Sequence, residues 1–185
     1  MVFPKTLSRR IGVTGGAVLS LLLWAGTAWG EDFRLESVGA RGGLSGNGGR
    51  NEFHQAEFFA NWNLPWGWDL GKEWYLQSRL DVSAGWLGDS SQSAFVGTLG
   101  PTLVLDRARW PVSFEGGFSP TYLSSYDFEL KDLGTRIQFT SHVGLNWDFA
   151  AHWRLTYRFQ HMSNADLAKS NPGLNMHIFG LSYCF

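Results

Sequence analysis

The sequence predicts an all-β fold, an eight-stranded antiparallel β-barrel that spans the outer membrane and has a polar, packed interior. Three observations predict it. Phe, Trp and Tyr make up 16% of the chain, and 23 of the 185 residues are glycine. Segments that alternate apolar and polar residues recur along the chain, which is the period of a strand with two different faces. No apolar run after Trp29 is long enough for a membrane helix, and only helices and closed barrels satisfy all backbone polar groups in lipid.

The first 30 residues are predicted to be a signal peptide. A basic region at 5–10 precedes an apolar run at 13–24, and 28–30 offers a small-residue cleavage site. The apolar run is too short for an anchor helix, which needs about 20 residues. Residues 31–185 are then expected to form a single barrel domain.

Eight strands are predicted in this domain, separated by polar loops or by turns with Gly and Pro. They are expected at 33–41, 52–64, 74–86, 93–105, 110–118, 136–149, 153–161 and 174–185. Residues 65–68 should turn the chain between the second and third strands, and Pro101 should disturb the pairing of the fourth. The loops after the first, third, fifth and seventh strands are the long ones. This alternation predicts that the long loops are extracellular and that both termini are in the periplasm.

Alternation alone does not say which face points into the barrel. In a soluble ligand-binding barrel of the lipocalin type, the apolar face would line the lumen. Tryptophans at the predicted periplasmic strand ends favour a lipid-facing apolar surface instead, because aromatic girdles mark membrane interfaces. They are Trp62, Trp74, Trp110, Trp147 and Trp153. Six charged residues are then expected to pair inside the lumen: Glu57, Arg79, Asp81, Glu115, Arg136 and Arg158.

Composition also excludes several classes of function. The net charge of −1 gives no basis for binding nucleic acid, and the single Cys184 cannot form an internal disulfide. His54, His142 and His152 are scattered over different strands without the spacing of metal ligands. We therefore predict neither a metal nor another cofactor.

A histidine and a serine stand out at the end of the seventh strand. Because side chains alternate along a strand, His161 and Ser163 should share the outward face with Trp153 and Leu155. Their Cβ atoms would lie roughly 7 Å apart. The imidazole could then take the proton of the serine, as an activated nucleophile requires. The alternative is that both are ordinary polar residues where the chain leaves the membrane.

The residues that follow carry a family resemblance. The run His161-Met-Ser163-Asn164-Ala165, a loop ending Asn171-Pro-Gly-Leu174 and an aromatic last strand resemble the lipid A 3-O-deacylase (PagL-type) family. The resemblance implies an eight-stranded outer-membrane esterase of a Gram-negative bacterium that removes the 3-hydroxyacyl chain ester-linked at position 3 of lipid A. It implies Ser163 as nucleophile and His161 as general base. It also implies that Asn164 contributes to the oxyanion hole, together with nearby backbone N–H groups.

One position departs from the family pattern. Where the family has a glutamate fourteen residues after the histidine, this chain has Asn175, which alternation places on the outward face of the last strand. An asparagine can orient the His161 ring as an acceptor, but it does not stabilise an imidazolium as a carboxylate does. Either Asn175 suffices, or Asp166 reaches in from the loop, or activity is reduced; we favour Asn175. His177, on the same face, is either a second base or an interfacial residue.

The implied partners are lipid A or lipopolysaccharide as substrate and the surrounding outer-membrane lipid. Both a monomer and a homodimer are compatible with the sequence. The competing function is a non-catalytic small outer-membrane barrel with a structural or adhesive role. Such a barrel has no reason to carry His161, Ser163 and Asn164 at the edge of its lipid-facing surface.

Overall fold

The computed structural model describes residues 33–45, 53–129 and 131–185. The signal peptide proposed at 1–30 lies outside these residues and stays a prediction. The strands of the described part are β1 (Arg34–Ser45), β2 (His54–Gly71), β3 (Trp74–Gly88), β4 (Ser93–Arg107), β5 (Val112–Leu123), β6 (Asp127–Phe128), β7 (Lys131–Asp132), β8 (Ile137–Ala150), β9 (Trp153–Ser163) and β10 (Leu174–Cys184). Eight of them close an antiparallel barrel in the order β1-β10-β9-β8-β5-β4-β3-β2. The predicted fold class is confirmed.

The remaining two strands, β6 and β7, form a small hairpin between β5 and β8. The sequence predicted only a loop there. We call the end of the barrel that carries this hairpin and the β9–β10 connection the loop end, and the opposite end, where β1 begins and β10 ends, the turn end. Within the described ranges, no helix is long and apolar enough to cross a membrane.

The outer surface of the barrel is apolar and its interior is polar. Phe58 is 70% exposed, Val143 63% and Phe179 65%, whereas alternate residues on the same strands are buried. This is the arrangement of a barrel that faces lipid, and it excludes the lipocalin-like alternative with an apolar lumen.

Charged side chains fill the middle of the lumen as a continuous network. Asp81 on β3 accepts hydrogen bonds from both Arg41 and Arg158, at 2.8 and 2.9 Å. Arg41 also pairs with Glu57, and Arg158 with Glu115. Alternation allows this because each of these residues is on the inward face of its strand.

Nearer the turn end, Glu36 joins Arg79 and Arg154, at 3.2 and 2.7 Å. The predicted lumen set is thus correct for five of its six members. Arg136 is wrong: it is exposed and precedes β8 at the loop end. Arg41, Arg154 and Glu36 also pair inside the lumen, although the sequence had not assigned them there.

At the loop end the lumen is closed by apolar side chains. The members of this cluster are Phe53, Leu87, Ala94, Val96, Leu123, Phe128, Leu133, Met162, Leu174, Met176 and Ile178. Phe128 of the β6–β7 hairpin packs edge-on against Phe53, with ring centroids 5.1 Å apart. The hairpin is therefore anchored in the barrel core.

Two local expectations on β2 are wrong. The chain does not turn at 65–68, because β2 continues to Gly71 through an irregular stretch between Asn63 and Gly67. A proline is tolerated in such a stretch since no ladder donor is needed from it. Trp62 is consequently not at the strand end and is only 6% exposed, whereas Trp66 and Trp68 are 59% and 48% exposed.

The expectation for Pro101 is confirmed on one side of its strand. Pro101 lies opposite Leu80 of β3, but pairing of β4 with β5 is interrupted between Thr98 and Thr102. The turn end otherwise keeps the expected exposed tryptophans, with Trp110, Trp147 and Trp153 each 44–51% exposed.

Candidate functional site

The candidate site lies on the outer wall at the loop end, where β9 ends and β10 begins. His161 on β9 is directly opposite Asn175 of β10 on one side and Ser141 of β8 on the other. All three residues are exposed, while the residues next to His161 on β9, Gln160 and Met162, are buried. The sequence alternation therefore placed His161 on the correct face.

His161 is oriented by Asn175. The His161 Nδ1 atom and the Asn175 Oδ1 atom are 2.6 Å apart. Because a carbonyl oxygen only accepts, Nδ1 carries the proton and donates it to Asn175. Nε2 is then the unprotonated nitrogen, with a lone pair that can accept a proton. This is the tautomer that a general base requires.

Ser163 is next on the same face of β9, two residues beyond His161. It is half-buried and lies opposite Phe139 of β8. The Ser163 hydroxyl and His161 Nε2 have no hydrogen-bond partner in the described part of the chain, so both are available to a substrate. A serine and its base commonly approach fully only when substrate is bound.

Gly173, just before β10, forms the wall beside the free nitrogen of His161. Its φ of +61° lies in the left-handed region. A Cβ at this position would be 2.8 Å from His161 Cε1 and 3.5 Å from Nε2. A glycine is therefore required for the backbone to approach the imidazole edge so closely. The sequence placed Pro172 and Gly173 at the end of a loop, but it did not indicate this contact.

Asn164 points into the protein, not toward the outer surface. It is fully buried, and its Nδ2 donates to Leu133 O at 2.9 Å and to Ser170 O at 2.6 Å. Its backbone N–H donates to the Asn171 side chain at 3.1 Å. All of its donors are thus engaged within the protein, and the residue ties the end of β9 to the hairpin segment and to the following loop.

A tight turn follows Asn164. The Leu167 N–H bonds to Asn164 O at 3.0 Å, and the two central residues, Ala165 and Asp166, both have positive φ. This is a turn of type I′. In the part of the chain that the structure describes, the backbone N–H groups of Ala165 and Asp166 have no acceptor. They are two and three residues after Ser163.

Asp166 itself is not brought to His161. Its Oδ1 atom accepts a hydrogen bond from Asn171 Nδ2 at 2.9 Å, and the side chain is exposed. His177, the other histidine on this face, bonds through Nδ1 to the Tyr157 hydroxyl at 2.8 Å. The structure thus brings Asn175, and not Asp166, into contact with the candidate base.

No group of three or more His, Cys, Asp or Glu side chains in the described ranges could hold a metal ion. What the arrangement offers is acid–base and nucleophilic chemistry at an ester or similar acyl group, presented toward lipid. The sequence did not predict two contacts between the β6–β7 hairpin and the site. Lys131 Nζ donates a hydrogen bond to Gly173 O, and Ser170 Oγ donates one to Asp132 O. They join residues far apart in sequence, and no local pattern indicates them.

Comparison with known proteins identifies relatives that match most of the chain. A family model described as "Lipid A 3-O-deacylase (PagL)" matches residues 56–184, which include every candidate site residue. The protein named lipid A deacylase PagL of Bordetella bronchiseptica is 29% identical over 156 residues, which cover 78% of this chain and 84% of that protein. A crystal structure titled as the outer membrane enzyme PagL superposes with a TM-score of 0.69 at 19% identity, covering 79% of this chain and 97% of the other.

Proposed function

The chain belongs to the lipid A 3-O-deacylase (PagL) family, and we propose that it is an outer-membrane serine esterase. In this proposal it hydrolyses the 3-hydroxyacyl chain that is ester-linked at position 3 of lipid A. The observation that carries the proposal is the 2.6 Å contact between His161 and Asn175, with Ser163 on the same outer face. The contact holds the imidazole and leaves its other nitrogen free to accept a proton, as a general base requires.

The reaction begins when Ser163 loses its proton to His161 Nε2 and its Oγ attacks the ester carbonyl. The tetrahedral intermediate collapses when the imidazolium gives that proton to the departing sugar oxygen, which leaves as an alcohol. The acyl chain is then attached to Ser163. Water, activated by Nε2 in the same way, attacks the acyl-enzyme, releases the fatty acid and restores the serine.

Asn175 takes the place of the family's carboxylate in this scheme. It fixes the imidazole by accepting from Nδ1, and so keeps Nε2 free as the base. It carries no charge, and the imidazolium formed during the reaction therefore receives less stabilisation than a carboxylate would give. We assign to Asn175 the role of orienting residue, with Asp166 outside the catalytic set.

We assign the oxyanion donors to the backbone of the turn after Ser163. The N–H groups of Ala165 and Asp166 are without acceptors in the described ranges, whereas the Asn164 side chain is engaged with Leu133 and Ser170. Asn164 then acts by holding the turn in place. Each well-placed donor to an oxyanion is typically worth about 3 kcal/mol in the transition state.

The position on the outer wall suits a lipid substrate. Lipid A lies in the outer leaflet, so its ester bonds are near the boundary between acyl chains and headgroups. A site on the outside of the barrel, near the extracellular rim, reaches such a bond by lateral diffusion alone. The apolar surface below His161, which includes Phe159 and Phe179, can contact the acyl chain.

Mass spectrometry of lipid A from cells expressing the protein tests this function. Wild type is compared with Ser163→Ala and with Ser141→Ala, all confirmed in the outer membrane. Ser141 is the matched control, because it is an exposed serine directly opposite the same His161. We expect wild type and Ser141→Ala to remove one hydroxyacyl chain, and Ser163→Ala to leave lipid A intact. Deacylation by Ser163→Ala would refute Ser163 as nucleophile, and unchanged lipid A with wild type would refute the function.

A further inference from the structure

We propose that Lys131 is a positioning residue that holds the wall of the active site against His161. This inference rests on the proposed function, because it concerns the same histidine and serine. The Lys131 ammonium donates a hydrogen bond to Gly173 O, with Nζ and O 2.6 Å apart. Lys131 is on β7, in the hairpin outside the barrel sheet, and lies 42 residues before Gly173.

The tethered residue is the one that borders the catalytic nitrogen. Gly173 leaves no room for a side chain between its backbone and His161, since a Cβ there would be 2.8 Å from Cε1. Any shift of the Gly173 peptide toward the ring would push the imidazole, and any shift away would release it. A hydrogen bond that fixes the Gly173 carbonyl therefore also limits where His161 can lie.

The environment of Lys131 indicates a geometric role. In the described part of the chain no carboxylate pairs with it, and its one hydrogen bond goes to a neutral carbonyl. The side chain is half-buried, and this burial lowers the pKa of Lys131. Removing an ammonium partly from water without a counter-charge costs free energy. The hydrogen bond from Lys131 to Gly173 O therefore forms in spite of this desolvation cost.

The hairpin that carries Lys131 is fixed at both of its sides. Toward the site, Ser170 Oγ donates to Asp132 O at 2.8 Å, and Asn164 Nδ2 donates to Leu133 O at 2.9 Å. Toward the core, Phe128 is buried in the apolar cluster of the lumen. The chain of contacts thus runs from the barrel core through the hairpin and Lys131 to Gly173 and the catalytic imidazole.

The test compares Lys131→Met with Lys169→Met in purified, detergent-folded protein. Lys169 is the matched control, because it is an exposed lysine of the adjacent loop whose side chain makes no hydrogen bond or ion pair within the described ranges. Activity is measured on lipid A and on an uncharged short-chain ester. For Lys131→Met we expect kcat to fall about 10- to 100-fold on both substrates with KM nearly unchanged, since displacing a catalytic group by about 1 Å costs up to about 100-fold. Lys169→Met should match wild type, and Lys131→Arg should recover part of the loss.

Several results would overturn the proposal. A loss seen only as a raised KM for lipid A, and absent with the uncharged ester, would mean that Lys131 binds a phosphate of the substrate. Unchanged kcat on both substrates would equally reject a positioning role. A readout independent of activity is the NMR signal of the His161 ring, which should shift in Lys131→Met but not in Lys169→Met or a stability-matched surface variant. If wild type hydrolyses neither substrate, the proposed function fails, and the NMR comparison alone decides this inference.

Discussion

Replacing Gly173 with alanine should disable the site while leaving the barrel folded. The added Cβ would lie 2.8 Å from His161 Cε1, whereas carbon atoms in ordinary contact are about 3.5–4.0 Å apart. The ring or the Gly173 backbone must therefore move by about 1 Å. A misplacement of that size costs about 100-fold in rate. The positive φ of +61° adds about 1–2 kcal/mol of backbone strain.

Gly71→Ala is the control that separates strain from contact. Gly71 also has a positive φ, +78°, but nothing lies within 4 Å of a Cβ placed there, and it is the last residue of β2. Both variants should lose similar stability in thermal unfolding in detergent. Only Gly173→Ala should lose about 100-fold in kcat. Equal activity of the two variants would show that the Gly173 backbone does not define the position of His161, and the reasoning would be refuted.

Substitutions at three further positions probe other parts of the account. Asn175→Ala should lower kcat about 10- to 100-fold, because the imidazole loses the acceptor that orients it. Asn175→Asp should retain activity and move the acidic limb of the pH–rate profile to higher pH, because a negative neighbour favours the protonated ring. An unmoved limb would contradict the contact at 2.6 Å. Asn164→Ala should lower the free energy of unfolding by about 1–3 kcal/mol because Leu133 O and Ser170 O lose their donor. Lost activity with unchanged stability would instead indicate that the Asn164 side chain binds the oxyanion directly. Asp81→Asn should lower the free energy of unfolding by about 3–5 kcal/mol, since Asp81 is 1% exposed and accepts hydrogen bonds from two arginines. The control Asp127→Asn, at an exposed position, should leave stability unchanged. The shift of the unfolding transition measures both effects.

The features that follow a strand period could be predicted from the sequence. His161 and Asn175 lie on the predicted outward faces of their strands, and the strands pair so that the two residues are opposite one another. The family resemblance noted from His161 through the last strand is confirmed by a match that extends over 56–184. The catalytic and oxyanion roles of individual residues stay predictions.

Features that depend on contacts between distant segments could not be predicted. Alternation gives the face of Trp62 but neither its burial nor the continuation of β2 past it to Gly71. Arg136 looked like an inward residue of β8, yet the strand begins one residue later and leaves it exposed. The hydrogen bond from Lys131 to Gly173 joins β7 to the residue before β10, and no periodic pattern relates residues so far apart.

The inward direction of Asn164 was missed for a similar reason. The sequence places it directly after the serine, where a role in the oxyanion hole is natural. Only the docking of the hairpin shows that Leu133 O and the loop residue Ser170 accept both protons of its amide. The side chain of Asn164 is therefore drawn inside by acceptors from other segments.

Covalent labelling tests the central claim, that Ser163 is a nucleophile activated by His161, most directly. Purified protein in detergent is treated with a fluorophosphonate that reacts with activated serines, and the modified residue is identified by peptide mass spectrometry. We expect modification of Ser163 in wild type and its loss in His161→Ala, with Ser141 unmodified in both. Modification of Ser141, or an unmodified Ser163 in protein that deacylates lipid A, would contradict the account.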